Sequence, residues 1–154
     1  MTVPAQYVDA SADFRKFLVD LRDIAGLTTT NQAFTVLEGV LLTFRRRLDV
    51  SGVAQFATVL PPVLRAIFVA HWDPTEPRRE FGDEAVMARE VQALRPRHNF
   101  ASAASIRDVS AALRRNVDEA ELDRVVACLP QGARRFWRGG GAVTLPVGRR
   151  MRGT

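Results

Sequence analysis

The sequence predicts an all-α fold, a helical bundle of about eight helices built from two similar halves. Apolar residues recur at the three- and four-residue spacing of one helical face through most of residues 11–137. Glycine and proline interrupt this pattern between segments of helical length. The pattern of residues 40–68 also returns at residues 109–137. The predicted helices cover about residues 11–24, 30–48, 50–60, 63–72, 83–94, 105–116, 119–129 and 130–137.

The first three helices follow from apolar stripes and capping residues. The stripe of the first helix consists of Phe14, Phe17, Leu18 and Leu21. Gly26 ends this helix, and residues 28–30 supply N-cap candidates for the second, which runs to Leu48. The second stripe consists of Ala33, Leu37, Val40, Leu41, Phe44 and Leu48. This is the most apolar of the early helices, and we expect it to be central.

Prolines set the limits of the next two helices. Pro61 and Pro62 either begin a new helix or kink the preceding one, and proline suits a first helical turn because its missing N–H group has no partner there. The fourth helix runs to Trp72, and residues 73–77 then form an extended loop with two prolines. The fifth helix follows and ends before Pro96.

The last three helices precede a change in composition. The apolar stripes of the sixth and seventh consist of Ile106, Val109, Leu113, Leu122, Val125, Val126 and Leu129. The eighth helix is short and begins at Pro130. From Gly139 onward the apolar residues are too sparse to offset the entropy of ordering the chain. We therefore predict one all-α domain over residues 1–137 and a flexible basic tail over 138–154.

An internal repeat organises the predicted domain into halves at about 11–72 and 83–137. A shift of 69 residues aligns seven identical pairs: Val40/Val109, Arg45/Arg114, Arg46/Arg115, Asp49/Asp118, Leu60/Leu129, Pro61/Pro130 and Arg65/Arg134. In the second copy, Asp118 and Glu121 have the spacing of a capping box. By alignment, Asp49 rather than Ser51 caps the third helix.

The basic charge of the chain is concentrated at its end. The formal net charge is +5, yet residues 131–154 contain six arginines and no acidic residue. Residues 1–130 are close to neutral, so we expect an acidic partner to meet the tail first. Arginines far outnumber the single lysine, Lys16. A skewed base composition of the genome also produces such an excess of arginine. Arginine abundance alone is therefore weak evidence for phosphate recognition.

Several spaced motifs resemble the bacterial family catalogued as domain of unknown function 2267. They are RRLDV at 46–50, LPPVLR at 60–65, AHWDP at 70–74, LP at 129–130 and RRFW at 134–137. The similarity covers roughly residues 7–137 and excludes the Arg/Gly-rich tail. It implies a small, cytoplasmic, all-helical bacterial protein of duplicated design, and it implies no particular reaction.

The sequence offers little for catalysis or metal binding. Its two histidines, His71 and His98, lack a second histidine, cysteine or acid at the spacing of a metal site. Cys128 lies beside Val125 and Leu129 in the seventh helix, which favours an inert core thiol over a catalytic one. We expect no catalytic residue, no metal and no cofactor, and we expect that the protein is not an enzyme.

Three groups of residues remain as candidate sites. His71 and Trp72 would line a pocket, although a helix-end cap with the indole packed on the core suits them better. The arginines of 45–47 and 114–115 close predicted helices, where cations interact favourably with carbonyl groups. Candidate nucleic-acid contacts lie among Phe136, Trp137 and glycines, and they are Arg134, Arg135, Arg138, Arg149, Arg150 and Arg152.

The leading hypothesis from the sequence is a non-catalytic helical module that binds another protein or itself. The alternative is sequence-independent nucleic-acid binding through the tail. The longest nearly apolar run, residues 63–72, is too short to span a membrane, and no secretory signal is visible. We therefore expect no membrane partner and a cytoplasmic location.

Overall fold

Helices account for most of the structure. The computed structural model describes residues 2–94 and 101–138. Within these ranges it contains no strand and the following helices: α1 (Ala5–Val8), α2 (Ala10–Ala25), α3 (Thr30–Arg45), α4 (Val50–Ala57), α5 (Pro62–Val69), α6 (Glu84–Ala93), α7 (Ser105–Asn116), α8 (Glu119–Ala127) and α9 (Gly132–Phe136). None of these helices is both long and apolar enough to cross a membrane. The predicted all-α bundle is confirmed, with the short helix α1 in addition.

Aspartates cap α4 and α8 at positions 69 residues apart. The Asp49 carboxylate accepts a hydrogen bond from the Gly52 amide at 2.7 Å, which confirms Asp49 as the cap of α4. The Asp118 carboxylate accepts from the Glu121 amide at 3.1 Å. The predicted return contact from Glu121 does not form, because its carboxylate pairs instead with Arg124 at 2.8 Å. Asp118 is therefore a simple N-cap.

Several helices end earlier than the sequence predicts. Helix α3 stops at Arg45 rather than Leu48, and α4 stops at Ala57 rather than Leu60. In both cases the following residues form tighter turns, because the amides of residues 47–48 and 58–60 bond to the carbonyl groups three residues earlier. Each turn is followed by a residue with an extended ψ angle, namely Asp49 (ψ 176°) after the first turn and Pro61 (ψ 155°) after the second. Periodic apolar residues continue through such turns, so the pattern overstates helix length.

Helix α5 ends at Val69 rather than Trp72 for a different reason. Ala70 is already extended, with ψ of 134°, and His71 then adopts a left-handed backbone conformation with φ of 52°, so the helix cannot continue. The turn brings Trp72 back against the hydrophobic core, where it is partly buried. The indole therefore packs on the core as the sequence favoured.

The core is one continuous cluster centred on aromatic rings. Helix α2 packs along α7, and α3 lies against α2, α5, α6 and α7. The Phe44 ring of α3 lies 4.7 Å from the Phe56 ring, 5.0 Å from Phe136 and 5.2 Å from Trp137, measured between centroids. Trp137 is 0% exposed. Phe136 and Trp137, which adjoin the basic tail in the sequence, therefore form part of the hydrophobic core.

Two arginines cap neighbouring helices in the same way. Arg45 Nη1 donates to the Phe68 carbonyl at 2.9 Å, and Arg114 Nε donates to the Trp137 carbonyl at 3.0 Å. Donors and acceptors are each 69 residues apart in sequence. The carbonyl groups belong to the ends of α5 and α9, rather than to the arginines' own helices. Each arginine thus joins the end of one helix to another helix.

We predict that Trp137→Ala lowers the free energy of unfolding by about 3–5 kcal/mol, because a fully buried ring leaves a cavity among three aromatic neighbours. Chemical denaturation followed by circular dichroism measures this loss. Trp72→Ala is the matched control, and we expect it to lose less than about 2 kcal/mol because Trp72 is only partly buried. Equal losses in the two variants would contradict the central position of Trp137.

Candidate functional site

A groove of about 450 Å³ opens between the starts of α6 and α7 and helix α9. We call it the arginine groove. Its apolar lining consists of Phe81, Met87, Ile106 and Phe136. Its charged lining consists of Glu84, Arg107, Arg135 and Arg138. Concave apolar surface with a few charged groups around it is the usual chemistry of a binding site.

A glycine allows the two walls of the groove to meet. Gly132 begins α9, and a side chain at this position would overlap the Phe81 ring. Phe81 also lies 6.4 Å from the Phe136 ring and 6.0 Å from the Phe44 ring, measured between centroids. The segment before α6 is therefore packed closely onto α9 and onto the core.

The groove carries an excess of positive charge. Arg107 Nε donates to a Glu84 carboxylate oxygen at 3.1 Å, and both side chains are largely exposed. Arg135 and Arg138 are exposed and form no hydrogen bond or ion pair with any other described residue. Arg107 lies in the first turn of α7, where the helix dipole disfavours a cation. The site is therefore electrostatically suited to an anionic group.

The predicted nucleic-acid contacts have different environments. Arg134 and Arg135 lie on α9, and Arg138 follows it, all three exposed. The aromatic residues among them are not available to stack on bases, because Phe136 is 3% exposed and Trp137 is 0% exposed. The rings of Phe136 and Trp137 pack in the core, although these residues adjoin the basic tail in the sequence. The remaining candidates, Arg149, Arg150 and Arg152, lie outside the described residues, as does most of the predicted flexible tail.

His71 and Trp72 line two neighbouring surface pockets rather than one. His71 is exposed and borders a pocket of about 370 Å³ between α3, α5 and α6. Trp72 borders a pocket of about 280 Å³ beside the following loop. Arg45, Arg46 and Glu76 line both pockets. The reversal of the chain at His71 separates the two side chains.

The arginines at positions 45–47, at the end of α3 and just after it, form contacts within the folded protein. The Glu90 carboxylate of α6 accepts from Arg46 Nη1 at 3.3 Å, Arg47 Nη2 at 2.6 Å and Arg79 Nη1 at 2.9 Å. Burial would raise the pKa of Glu90, but the hydrogen bond and charge of Arg47, with those of Arg79 and Arg46, hold that pKa below its usual range. Arg46, Arg47 and Arg79 therefore all bind the Glu90 carboxylate and stabilise its ionised form.

Arg45 and Arg47 also fix the chain around them. Burial lowers the pKa of Arg45, whose Nη1 donates to the Phe68 and Ala70 carbonyls, both at 2.9 Å. Arg47 is 5% exposed, and its Nε donates to the Glu80 carbonyl at 3.1 Å. This last bond holds the residue that immediately precedes Phe81. The buried network thus positions one wall of the arginine groove.

Cys128 is exposed, so its predicted place in the core is wrong. The inward face of α8 and the turn after it carries Leu122, Val126 and Leu129. Cys128 follows Val126 by two residues, which places it about 200° around the helix from that face. Within the described residues, no group of three or more histidines, cysteines and acids could hold a metal ion.

Sequence reasoning missed most of the arginine groove. Glu84, Arg107 and Gly132 lie far apart along the chain, in three different helices, and Phe81 lies in the segment just before the first of them. The cation in the first turn of α7 is the one local signal, because such a position disfavours arginine unless something else requires it. The proximity of the other residues depends on tertiary packing.

The chain matches the family model for DUF2267, described as an uncharacterized conserved protein, over residues 14–136. The chain belongs to DUF2267. The resemblance seen in the sequence motifs is thereby confirmed. The family match contains the apolar lining of the arginine groove together with Arg107 and Arg135, and it ends before Arg138. No curated protein matches the sequence.

We predict that Glu90→Gln lowers the free energy of unfolding at neutral pH by about 2–4 kcal/mol, because Arg47 remains buried without its carboxylate. The wild-type protein should lose this contribution as the pH falls below the ordinary range of a glutamate and through the lowered pKa of Glu90. The difference between wild type and variant should therefore shrink in acid. Urea denaturation at several pH values measures it.

The matched control for Glu90→Gln is Glu84→Gln on the same helix. Its carboxylate is half exposed and pairs with an exposed arginine, so we expect a loss below about 1 kcal/mol. A Glu90 variant no less stable than this control would show that the network does not hold α6 in place.

Proposed function

We propose that this DUF2267 protein is a non-catalytic helical module that binds a protein partner through the arginine groove. The observation that carries the proposal is the environment of Arg135 and Arg138. Both are exposed beside an apolar concavity, and neither has an acidic partner among the described residues. Apolar surface ringed by polar groups is typical of a macromolecular contact site.

The chemistry of the groove supports binding rather than catalysis. A guanidinium group stays protonated at physiological pH, so Arg107, Arg135 and Arg138 can donate hydrogen bonds but cannot act as bases. The carboxylate of Glu84 is paired with Arg107. Acyl or phosphoryl transfer needs a nucleophile with a base in hydrogen-bond reach, which this lining does not supply. The groups present are suited to holding an anionic partner.

The packing of the groove also favours binding. Phe81 is held by Gly132 and the core rings, and the preceding residue is held by Arg47. A preformed surface loses little conformational entropy when a partner binds, which favours affinity. We further propose that the protein performs this function in the bacterial cytoplasm, as expected from the sequence.

A second candidate function is sequence-independent nucleic-acid binding. Arg134, Arg135 and Arg138 are all exposed within one short stretch, and three more arginines follow in the sequence. Such a cluster can neutralise phosphates, with an affinity that falls steeply as salt increases. The burial of Phe136 and Trp137 removes base stacking from this mode of binding.

We predict that Arg135→Glu abolishes capture of the partner from native cells, because reversal of one groove charge repels an acidic ligand. Arg134→Glu is the matched control. It changes the same charge on the same helix at an exposed residue that does not line the groove, so we expect capture to persist. The measurement is quantitative mass spectrometry of material bound to the tagged full chain. Equal capture by the two variants would refute the groove as the contact surface.

The nucleic-acid alternative has its own test. If residues after Arg138 bind phosphates, the full chain should bind a labelled oligonucleotide at low salt, lose it at high salt, and lose it when the chain stops after Arg138. Fluorescence anisotropy measures all three. Unchanged binding by the shortened chain would exclude these residues as the contact, and no binding by either form would exclude the alternative.

A further inference from the structure

We infer that the occupant of the arginine groove is an acidic segment of a partner protein that inserts an apolar side chain between the arginines. Resting on the proposed function, this inference specifies the chemistry of the partner. Two features of the groove lead to it, namely the sign of its charge and the nature of the surface that the charges surround.

The charges require an anionic occupant. Three arginines line the groove against one glutamate, and among the residues that the structure describes only Arg107 of the three has an ion-pair partner. Carboxylates match the planar guanidinium group and can accept two hydrogen bonds from it. The chain's own residues 139–154 are poor occupants, because they contain three arginines and no acid. We therefore assign the anionic groups to a partner protein.

The apolar lining of the groove indicates that the occupant carries an apolar side chain as well as anionic groups. Met87, Ile106 and Phe136 are only 5%, 2% and 3% exposed, and their few accessible atoms line the groove together with the partly buried Phe81. An apolar side chain inserted there covers these atoms and excludes water from the adjacent ion pairs. Buried anchors surrounded by polar contacts carry most of the binding energy in protein interfaces.

The same lining disfavours a nucleic acid. Single strands bind by stacking bases on exposed aromatic faces, whereas Phe136 is almost entirely buried. The Glu84 carboxylate lies beside Arg107 in the groove and opposes any anionic ligand, so a ligand that also inserts an apolar group there gains contacts that a phosphate backbone lacks. The groove is therefore better matched to an acidic peptide than to an oligonucleotide.

An array of short peptides tests this inference directly. The peptides have equal length and randomised order, and they vary independently in the number of acidic and of apolar residues. The labelled full chain is applied beside single-stranded oligonucleotides of similar length. We expect binding to require both residue classes, with peptides that lack either class binding about tenfold more weakly.

Matched variants locate that binding in the groove. Arg135→Glu should weaken the selected acidic–apolar peptides about tenfold, while Arg134→Glu changes their affinity less than about twofold. Met87→Ala should reduce the preference for apolar residues and leave the preference for acidic residues intact. Circular dichroism establishes that each variant is folded before its binding is measured.

Each alternative outcome has a distinct meaning. Peptides that bind through apolar residues alone, or an array without binders while Arg135→Glu still abolishes capture from cells, would overturn the acidic segment and leave the proposed function standing. Stronger binding of oligonucleotides than of any peptide would overturn both. Concentration-dependent dimerisation lost in Arg135→Glu, measured by sedimentation, would identify a second copy as the occupant and overturn the inference.

Discussion

The ion pair between the buried Arg47 and the partly buried Glu90 is the contact on which the arrangement of this DUF2267 protein depends. It joins the end of α3 to α6 at 2.6 Å, and Arg47 also holds the Glu80 carbonyl. Burial of these charges costs free energy that only a complete set of partners offsets. Arg46 and Arg79 complete that set around Glu90. The network therefore favours one position of α6 and of the segment before it.

The buried Arg47 and the partly buried Arg114 fix the two sides of the groove, which is also lined by exposed arginines. Arg47 positions the residue before Phe81, and Arg114 fastens the end of α9 through the Trp137 carbonyl. Arg135 and Arg138 lie on either side of that fastened end. In a chain so rich in arginine, burial and pairing distinguish structural arginines from those that can meet a partner. The amino-acid composition alone does not distinguish these two groups of arginines.

The helices and several of their caps could be predicted because their causes are local. A capping aspartate such as Asp49 bonds to an amide three residues away, and an apolar stripe repeats within one turn. The same logic misplaced Cys128, since an apolar stretch does not say which residues of it face inward. It also extended α3 and α4 through tight turns that keep the helical spacing of apolar residues.

The sequence by itself determined the helical class, the main helices, their aspartate caps and the concentration of basic charge at the end. Only the tertiary structure decided that Phe136 and Trp137 belong to the core, and that Phe81, Arg107 and Arg135 share a groove. Helices form through bonds spanning three or four residues, which a sequence pattern records directly. A groove forms where distant segments pack, and their meeting depends on the fit of the whole interior.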